Sequence, residues 1–244
     1  MADEADQAGS PVDSAPSKPR QKQSWWDIPL TIGIALAVVL LLTTFIAKPF
    51  SIPSGSMEET LGIGDRILVN RLVYHTRPVE RGDVIVFDGS DVFVPALPAE
   101  DGNPIGRTVA WIGQSLGLMT PDSTDFVKRV IGVGGDHVVC CDVQGRITVN
   151  GQALDEESYI MPGDVPSTEA FDVVVPDGKL WVMGDHRSNS ADSRAHMGDP
   201  GGGFVPASSV VGRAMVVLWP IPHISTIPIP ETFAAVPTAR PAES

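Results

Sequence analysis

The chain has 244 residues, 43% of them hydrophobic, with a formal net charge of −13. A phosphate-binding surface needs clustered positive charge, so a balance this acidic excludes nucleic acid as a partner. The length is sufficient for one sizeable folded domain or two small ones with a real core.

Residues 1–24 are rich in Ala, Ser, Pro, Asp and Lys and nearly lack large apolar side chains. Such a composition cannot offset the entropy of ordering, and it predicts a disordered tail. From Ile28 to Ala47 no charge interrupts an apolar run bounded by Asp27 and Lys48. At about 1.5 Å per residue the run covers a hydrocarbon core of roughly 30 Å, which predicts a transmembrane helix over 25–48. A cleaved secretory signal also begins with positive charge and an apolar segment. Its apolar part is about 7 to 15 residues and ends in a small-residue cleavage site, whereas this run is longer and leads into Lys48-Pro49-Phe50. Lys18, Arg20 and Lys22 precede the run and Lys48 alone follows closely. The positive-inside rule therefore puts the N-terminus in the cytoplasm and everything from Lys48 onward outside, with Trp25 and Trp26 as interfacial anchors in membrane lipid.

Just beyond the run the chain reads Ile52-Pro53-Ser54-Gly55-Ser56-Met57, which holds a serine on a turn close to the membrane surface. A serine hydroxyl is a weak nucleophile until a base activates it, and Ser56 taken alone is one turn serine among many. Ser56 stands in no G-x-S-x-G elbow, and neither Ser54 nor Ser56 begins an S-x-x-K pair, since Glu59 lies three residues after Ser56 and Met57 three after Ser54.

The chain beyond this turn is β-rich. Asp65–Asn70 and Asp83–Phe87 are short apolar, β-branched runs after Gly-Asp turns. Residues 88–124 show little regular pattern, and such a stretch is functional or disordered. Its apolar centre, Val109–Met119, is too short to cross a bilayer and either packs on the core or dips into the interface. Val138–Val143 and Arg146–Val149 are strand-like, with Asn150-Gly151 as a hairpin turn before Gln152–Leu154. Val173–Val175, Lys179–Met183 and Val210–Trp219 continue the pattern. Short strands separated by Gly and Pro predict an antiparallel sandwich or barrel-like body over 49–220, and the Pro-rich 221–244 reads as an extended C-terminal tail. The only cysteines, Cys140 and Cys141, are adjacent. They leave three readings open: unpaired structural thiols, a vicinal disulfide in the oxidising exterior, or a metal site with His137. The histidines are scattered without H-E-x-x-H spacing, so a zinc hydrolase is unsupported and neither metal nor other cofactor is expected.

Two polar clusters stand out against this background. In Asp125-Phe126-Val127-Lys128-Arg129-Val130-Ile131-Gly132 a Lys-Arg pair is embedded in a strand-like segment, and alternation sends the two side chains to opposite faces. An inward Lys128 would be desolvated, its pKa would fall, and its neutral amine could act as a general base. Gly184–Arg194 packs charge between apolar strands. It reads either as a hydrogen-bonded loop with an Asp192–Arg194 ion pair or as a loop in which Ser190 or Ser193 orients a lysine amine.

Taken together, these segments resemble type I signal peptidases, in the arrangement with a single span and an external catalytic body typical of Gram-positive forms. The resemblance rests on Ile52–Met57 with Thr60-Leu61 and Gly64-Asp65, Arg81–Phe87, Phe126–Gly132 with Gly135-Asp136, and Gly184–Arg194 with Gly203–Pro206 behind it. It does not reach the N-terminal tail, the 88–124 insertion or the last 24 residues. It implies a mainly β catalytic body and a serine endopeptidase that removes signal peptides from exported preproteins after Ala-x-Ala-like sites. Ser56 would be nucleophile and Lys128 general base. Ser54 would complete the oxyanion hole with the Ser56 N–H, while Ser190, Asp192 and Arg194 support the base. Ile52, Pro53, Met57 and Phe126 would line the pockets for small substrate side chains. His186 stands where Asn is common. Two other readings remain, a self-cleaving Ser/Lys repressor and a non-enzymatic anchored β-module. A membrane span replaces the DNA-binding element of the first, and the second leaves the apolar-embedded lysine without a purpose.

Overall fold

The apolar run forms helix α1, Asp27–Phe45, of 19 residues, about 28 Å long at the usual rise. The structure, a computed structural model, describes residues 27–45, 47–90, 92–93 and 124–239. The described side chains of α1, Ile28 to Val38, are all exposed. Among the described residues, no helix is long and apolar enough to cross a membrane. The helix ends earlier than the expected 25–48, because Pro49 disfavours helical backbone at Lys48 and the chain enters a strand instead. The expected tail over 1–24 and most of the 88–124 insertion, including Val109–Met119, lie outside the described residues. The chain divides into two units, Met1–Ala37 and Val38–Ser244.

In the second unit the strands are β1 (Ala47–Ser51), β2 (Arg66–Asn70), β3 (Val84–Asp88), β4 (Asp125–Val133), β5 (His137–Cys140), β6 (Ile147–Val149), β7 (Gln152–Ala153), β8 (Phe171–Val174), β9 (Lys179–Met183), β10 (Val205–Pro206), β11 (Val210–Trp219) and β12 (Ser225–Thr226). The larger sheet runs β1-β2-β11-β3-β4-β9-β10, with β12 also on β11, and the smaller runs β7-β6-β5-β8. Every pairing is antiparallel, so the mainly β body expected from the strand pattern is what forms. β3 explains its own unbroken apolar sequence: Val84 and Val86 enter one core cluster and Ile85 and Phe87 another, so both faces are covered. Asn150 and Gly151 both have positive φ, 54° and 80°, the backbone that a two-residue hairpin with matching twist demands.

One expectation needs correction, and one open question is answered. The C-terminal stretch is not an extended tail through residue 239. Ile227 is buried in the core beneath β2 and β11, and Phe233 and Val236 in the cluster beneath the smaller sheet. Its prolines set extended backbone around short 3-10 turns, and those turns present the apolar residues inward. Of the three readings of Cys140 and Cys141, the structure forms the vicinal disulfide. Cys141 has already left β5, so the opposite-face geometry of a continuous strand does not hold.

Candidate active site

Ser56 lies in the loop that reverses the chain between β1 and β2. The loop is pinched shut by Ile52 N–H donating to Asp65 O at 2.9 Å and Gly64 N–H to Ile52 O at 2.8 Å. Inside it, Glu58 N–H donates to Gly55 O at 3.1 Å and Leu61 N–H to Met57 O at 2.7 Å. The Met57 and Leu61 side chains are sunk in the core. The residue between Gly55 and Met57 is thereby anchored on both sides.

Lys128 comes to it from β4. The cross-strand partners of Lys128 and Arg129 are Ile85 and Val84, which belong to different core clusters, so the two adjacent cations are delivered to opposite faces. Lys128 Nζ lies 2.5 Å from Ser56 Oγ and is the donor while it carries the ammonium proton. Only 3% of Lys128 is exposed. Burial pushes its pKa down to about 8; Asp192 and Asp185 pull it back, and the Arg194 charge lowers it further. With that pKa about a tenth of the amine is neutral at pH 7, against less than a thousandth for a solvated lysine.

Arg129, to which the sequence alone assigns no role, braces the same loop from the other face. It donates to Asp185 Oδ1 at 2.8 Å and Oδ2 at 2.6 Å, to Gly82 O at 3.0 Å and to Thr60 Oγ1 at 3.1 Å. Thr60 in turn donates to Asp185 Oδ2 at 2.5 Å. Arg187 and Glu156 form a second buried pair at 2.7 Å and 2.9 Å, with Tyr159 donating to Glu156 at 2.5 Å. The one signal of these partnerships in the sequence is charge inside apolar segments; which residues pair depends on the tertiary fold.

The remaining expected site residues fall into three groups. Asp192 and Arg194 form the anticipated pair, at 2.9 Å and 2.8 Å, and Asp192 also accepts the Gly184 N–H at 2.9 Å. Burial raises the Asp192 pKa, but the Arg194 hydrogen bonds and charge outweigh it and the net shift is downward. Ser190 Oγ is buried and makes no hydrogen bond of normal geometry to Lys128 or to any other described residue, although it lies close enough to Asp192 to favour the charged carboxylate. A Cβ built on Gly184 would collide with Ser190 Oγ, Ser56 O and, at 2.6 Å, Ser190 Cβ, so glycine is what lets the Ser190 loop close on the Ser56 backbone. Ser54 and Pro53 are exposed. Phe126 is half-buried and stacks on Phe87 at 5.9 Å. Ile52 and Met57 are 3% and 1% exposed. Expected as pocket lining, these two fill the core beneath the loop, because their neighbours Phe50, Leu61 and Ile67 form an apolar floor there.

A serine hydroxyl against a buried lysine amine, on an antiparallel β body, points to the serine endopeptidases that dispense with an imidazole base. The family model described as signal peptidase, peptidase S26, matches residues 25–219. The chain is 38% identical over 231 residues to a probable signal peptidase I of Mycobacterium leprae, covering 84% of this chain and 79% of that one. It is 38% identical over 245 residues to a signal peptidase I of Mycobacterium tuberculosis, covering 89% and 82%. A solved signal peptidase I from Enterococcus faecalis aligns at 22% identity and a TM-score of 0.35, over 56% of this chain and 97% of that one. The chain belongs to the signal peptidase family, peptidase S26, and is a serine endopeptidase.

Proposed function

We propose that this enzyme is anchored in the cell membrane and removes signal peptides from exported preproteins after Ala-x-Ala-like sites, through an acyl-enzyme on Ser56. The carrying observation is the 2.5 Å contact of Ser56 Oγ with an amine that burial holds near pKa 8. Once that amine is neutral, the polarity of the contact reverses and the Ser56 hydroxyl donates to nitrogen. As Oγ attacks the scissile carbonyl carbon, Lys128 takes the proton, and the negative charge develops on the carbonyl oxygen. The Ser56 N–H, which makes no hydrogen bond to a described residue, and the exposed Ser54 hydroxyl are free to receive that charge. Collapse breaks the C–N bond, and the departing amine of the mature protein takes the proton from Lys128. Water then gives a proton to the Lys128 amine and attacks the ester carbonyl; as the C–O bond to Ser56 breaks, Lys128 returns that proton to Oγ, and the signal peptide leaves with a new C-terminal carboxyl group.

The Ser190 hydroxyl, buried beside the Asp192 carboxylate whose charge acts on Lys128, supports a role in directing the lysine amine. Pro53 and Phe126 retain exposure at the site and are the candidates for touching the substrate's small side chains, with Ile52 and Met57 shaping that surface from beneath. The segment proposed as anchor is the uncharged apolar run Ile28–Ala47, which contains most of α1; the helix side chains described, Ile28 to Val38, are all exposed, and a bilayer would cover them. The cytoplasmic N-terminus and external body follow from the charge asymmetry around the run. Purified protein in detergent, given a signal-peptide-bearing preprotein, should release a mature chain that begins just after a small residue. Ser56→Ala and Lys128→Ala should each abolish release while leaving the protein folded, and substantial turnover by either variant would reject the dyad.

A further inference from the structure

His186 touches the nucleophile loop at three points without touching the reacting hydroxyl. Its N–H donates to Ser56 O at 3.2 Å. Its ring Nδ1 lies 3.1 Å from Gly55 O and 2.8 Å from Glu58 Oε2. Both of those atoms are acceptors, so Nδ1 must carry a hydrogen and share it between them. Glu58 folds back over the loop to reach the ring: a Cβ on Gly55 would sit 2.7 Å from Glu58 Oε2, so a side chain there would displace the carboxylate from its present place. Gly55 O also accepts from Glu58 N–H at 3.1 Å.

Two donors on one carbonyl fix more than that oxygen. Gly55 C=O and Ser56 N–H are opposite ends of the same planar peptide group, and in a trans peptide they point in opposite directions. Holding the oxygen therefore sets where the Ser56 N–H points. Donation to the oxygen also polarises the group and makes the N–H a stronger donor. We infer that His186, held by Glu58, is a positioning residue that aims the Ser56 N–H at the developing oxyanion. The inference rests on the Ser56 acyl-transfer reading above. It gives His186 an effect on the transition state rather than on substrate docking, since its hydrogen bonds run to the backbone of the loop and to Glu58.

The test compares His186→Leu and His186→Asn with the native enzyme in detergent, using a signal-sequence peptide substrate and a peptide aldehyde that forms a tetrahedral adduct. Asn carries an N–H close to the place of Nδ1, whereas Leu fills similar space with no donor. The Leu variant should lose on the order of tenfold or more in kcat, part of what a missing oxyanion donor costs. Its KM should stay within about threefold, and aldehyde affinity should fall in parallel with kcat. The Asn variant should recover most of the rate. Glu58→Gln, which keeps an acceptor but not the charge, should lie between them and serves if His186→Leu fails to fold. Native-like kcat in His186→Leu, a loss confined to KM, or an Asn variant as slow as Leu would overturn the inference. Full turnover by Ser56→Ala would instead remove the acyl-enzyme reading beneath it, so the two failures are distinguishable.

Discussion

Lys128 is the residue whose environment most directly fixes a measurable quantity. Its pKa of about 8, against an ordinary 10.5, corresponds to roughly 3 kcal/mol of preference for the neutral amine. If kcat/KM on a fluorogenic signal-sequence peptide tracks the neutral fraction, it should rise about tenfold from pH 7 to pH 9 and then level off. A solvated lysine would give about a hundredfold rise over the same interval, and the climb would continue past pH 10. A profile of that second kind would refute the desolvation argument, because the same burial that places Nζ on Ser56 is what lowers the pKa. Stability follows with a definite sign. Below about pH 8 the lysine is charged both folded and unfolded, and the burial penalty is fully present. Between about pH 8 and 10.5 the folded state has already released its proton, so stability should rise across that window and be level above it.

Replacing the penalised charge by an apolar isostere should separate stability from activity: Lys128→Met should abolish cleavage yet gain up to about 3 kcal/mol at pH 7 in urea unfolding. Gly184→Ala should do harm on both counts, since its Cβ meets the Ser56 and Ser190 atoms. Overpacking of this kind costs about 1 to 3 kcal/mol, and kcat should fall as the loops separate. Arg129→Ala leaves Asp185 buried without its partner, and a loss of roughly 3 to 5 kcal/mol in denaturant melts is expected. Deleting residues 1–46, up to the start of β1, should leave turnover of a short soluble peptide largely intact while slowing processing of bilayer-inserted preprotein, because the shared membrane raises local concentration. Equal rates on both substrates would reduce α1 to a localisation device.

Much of the body was legible because strands write their burial into residue order. β2, β3, β4, β5, β6, β9 and β11 fall where runs of Val, Ile and Leu predict them, within a residue or a few at their ends. For Lys128 and Arg129 alternation gave opposite faces but not which face is inward, and the structure buries both, because both faces of β4 are covered. β1 was not legible: Ala47-Lys48-Pro49-Phe50-Ser51 has no strand pattern of its own and is extended because β2 lies beside it. The Arg129–Asp185–Thr60 brace joins residues 56 and 125 positions apart, and nothing local announces such partners. The C-terminal prolines mislead because extended backbone does not mean unpacked backbone; Phe233 and Val236 are the apolar cue that the stretch docks. Ile52 and Met57 sit next to the serine in sequence, but sequence adjacency carries no information on which side of the loop they occupy.

The central claim is that Ser56 Oγ becomes the acyl carrier once the Lys128 amine takes its proton. Rapid acid quench of the enzyme turning over a signal-sequence ester, followed by proteolysis and mass spectrometry, reads this directly. An added acyl mass is expected on the peptide containing Ser56, absent in Lys128→Ala and in Ser56→Ala. An acyl mass on any other residue, or the same adduct yield without Lys128, would contradict it.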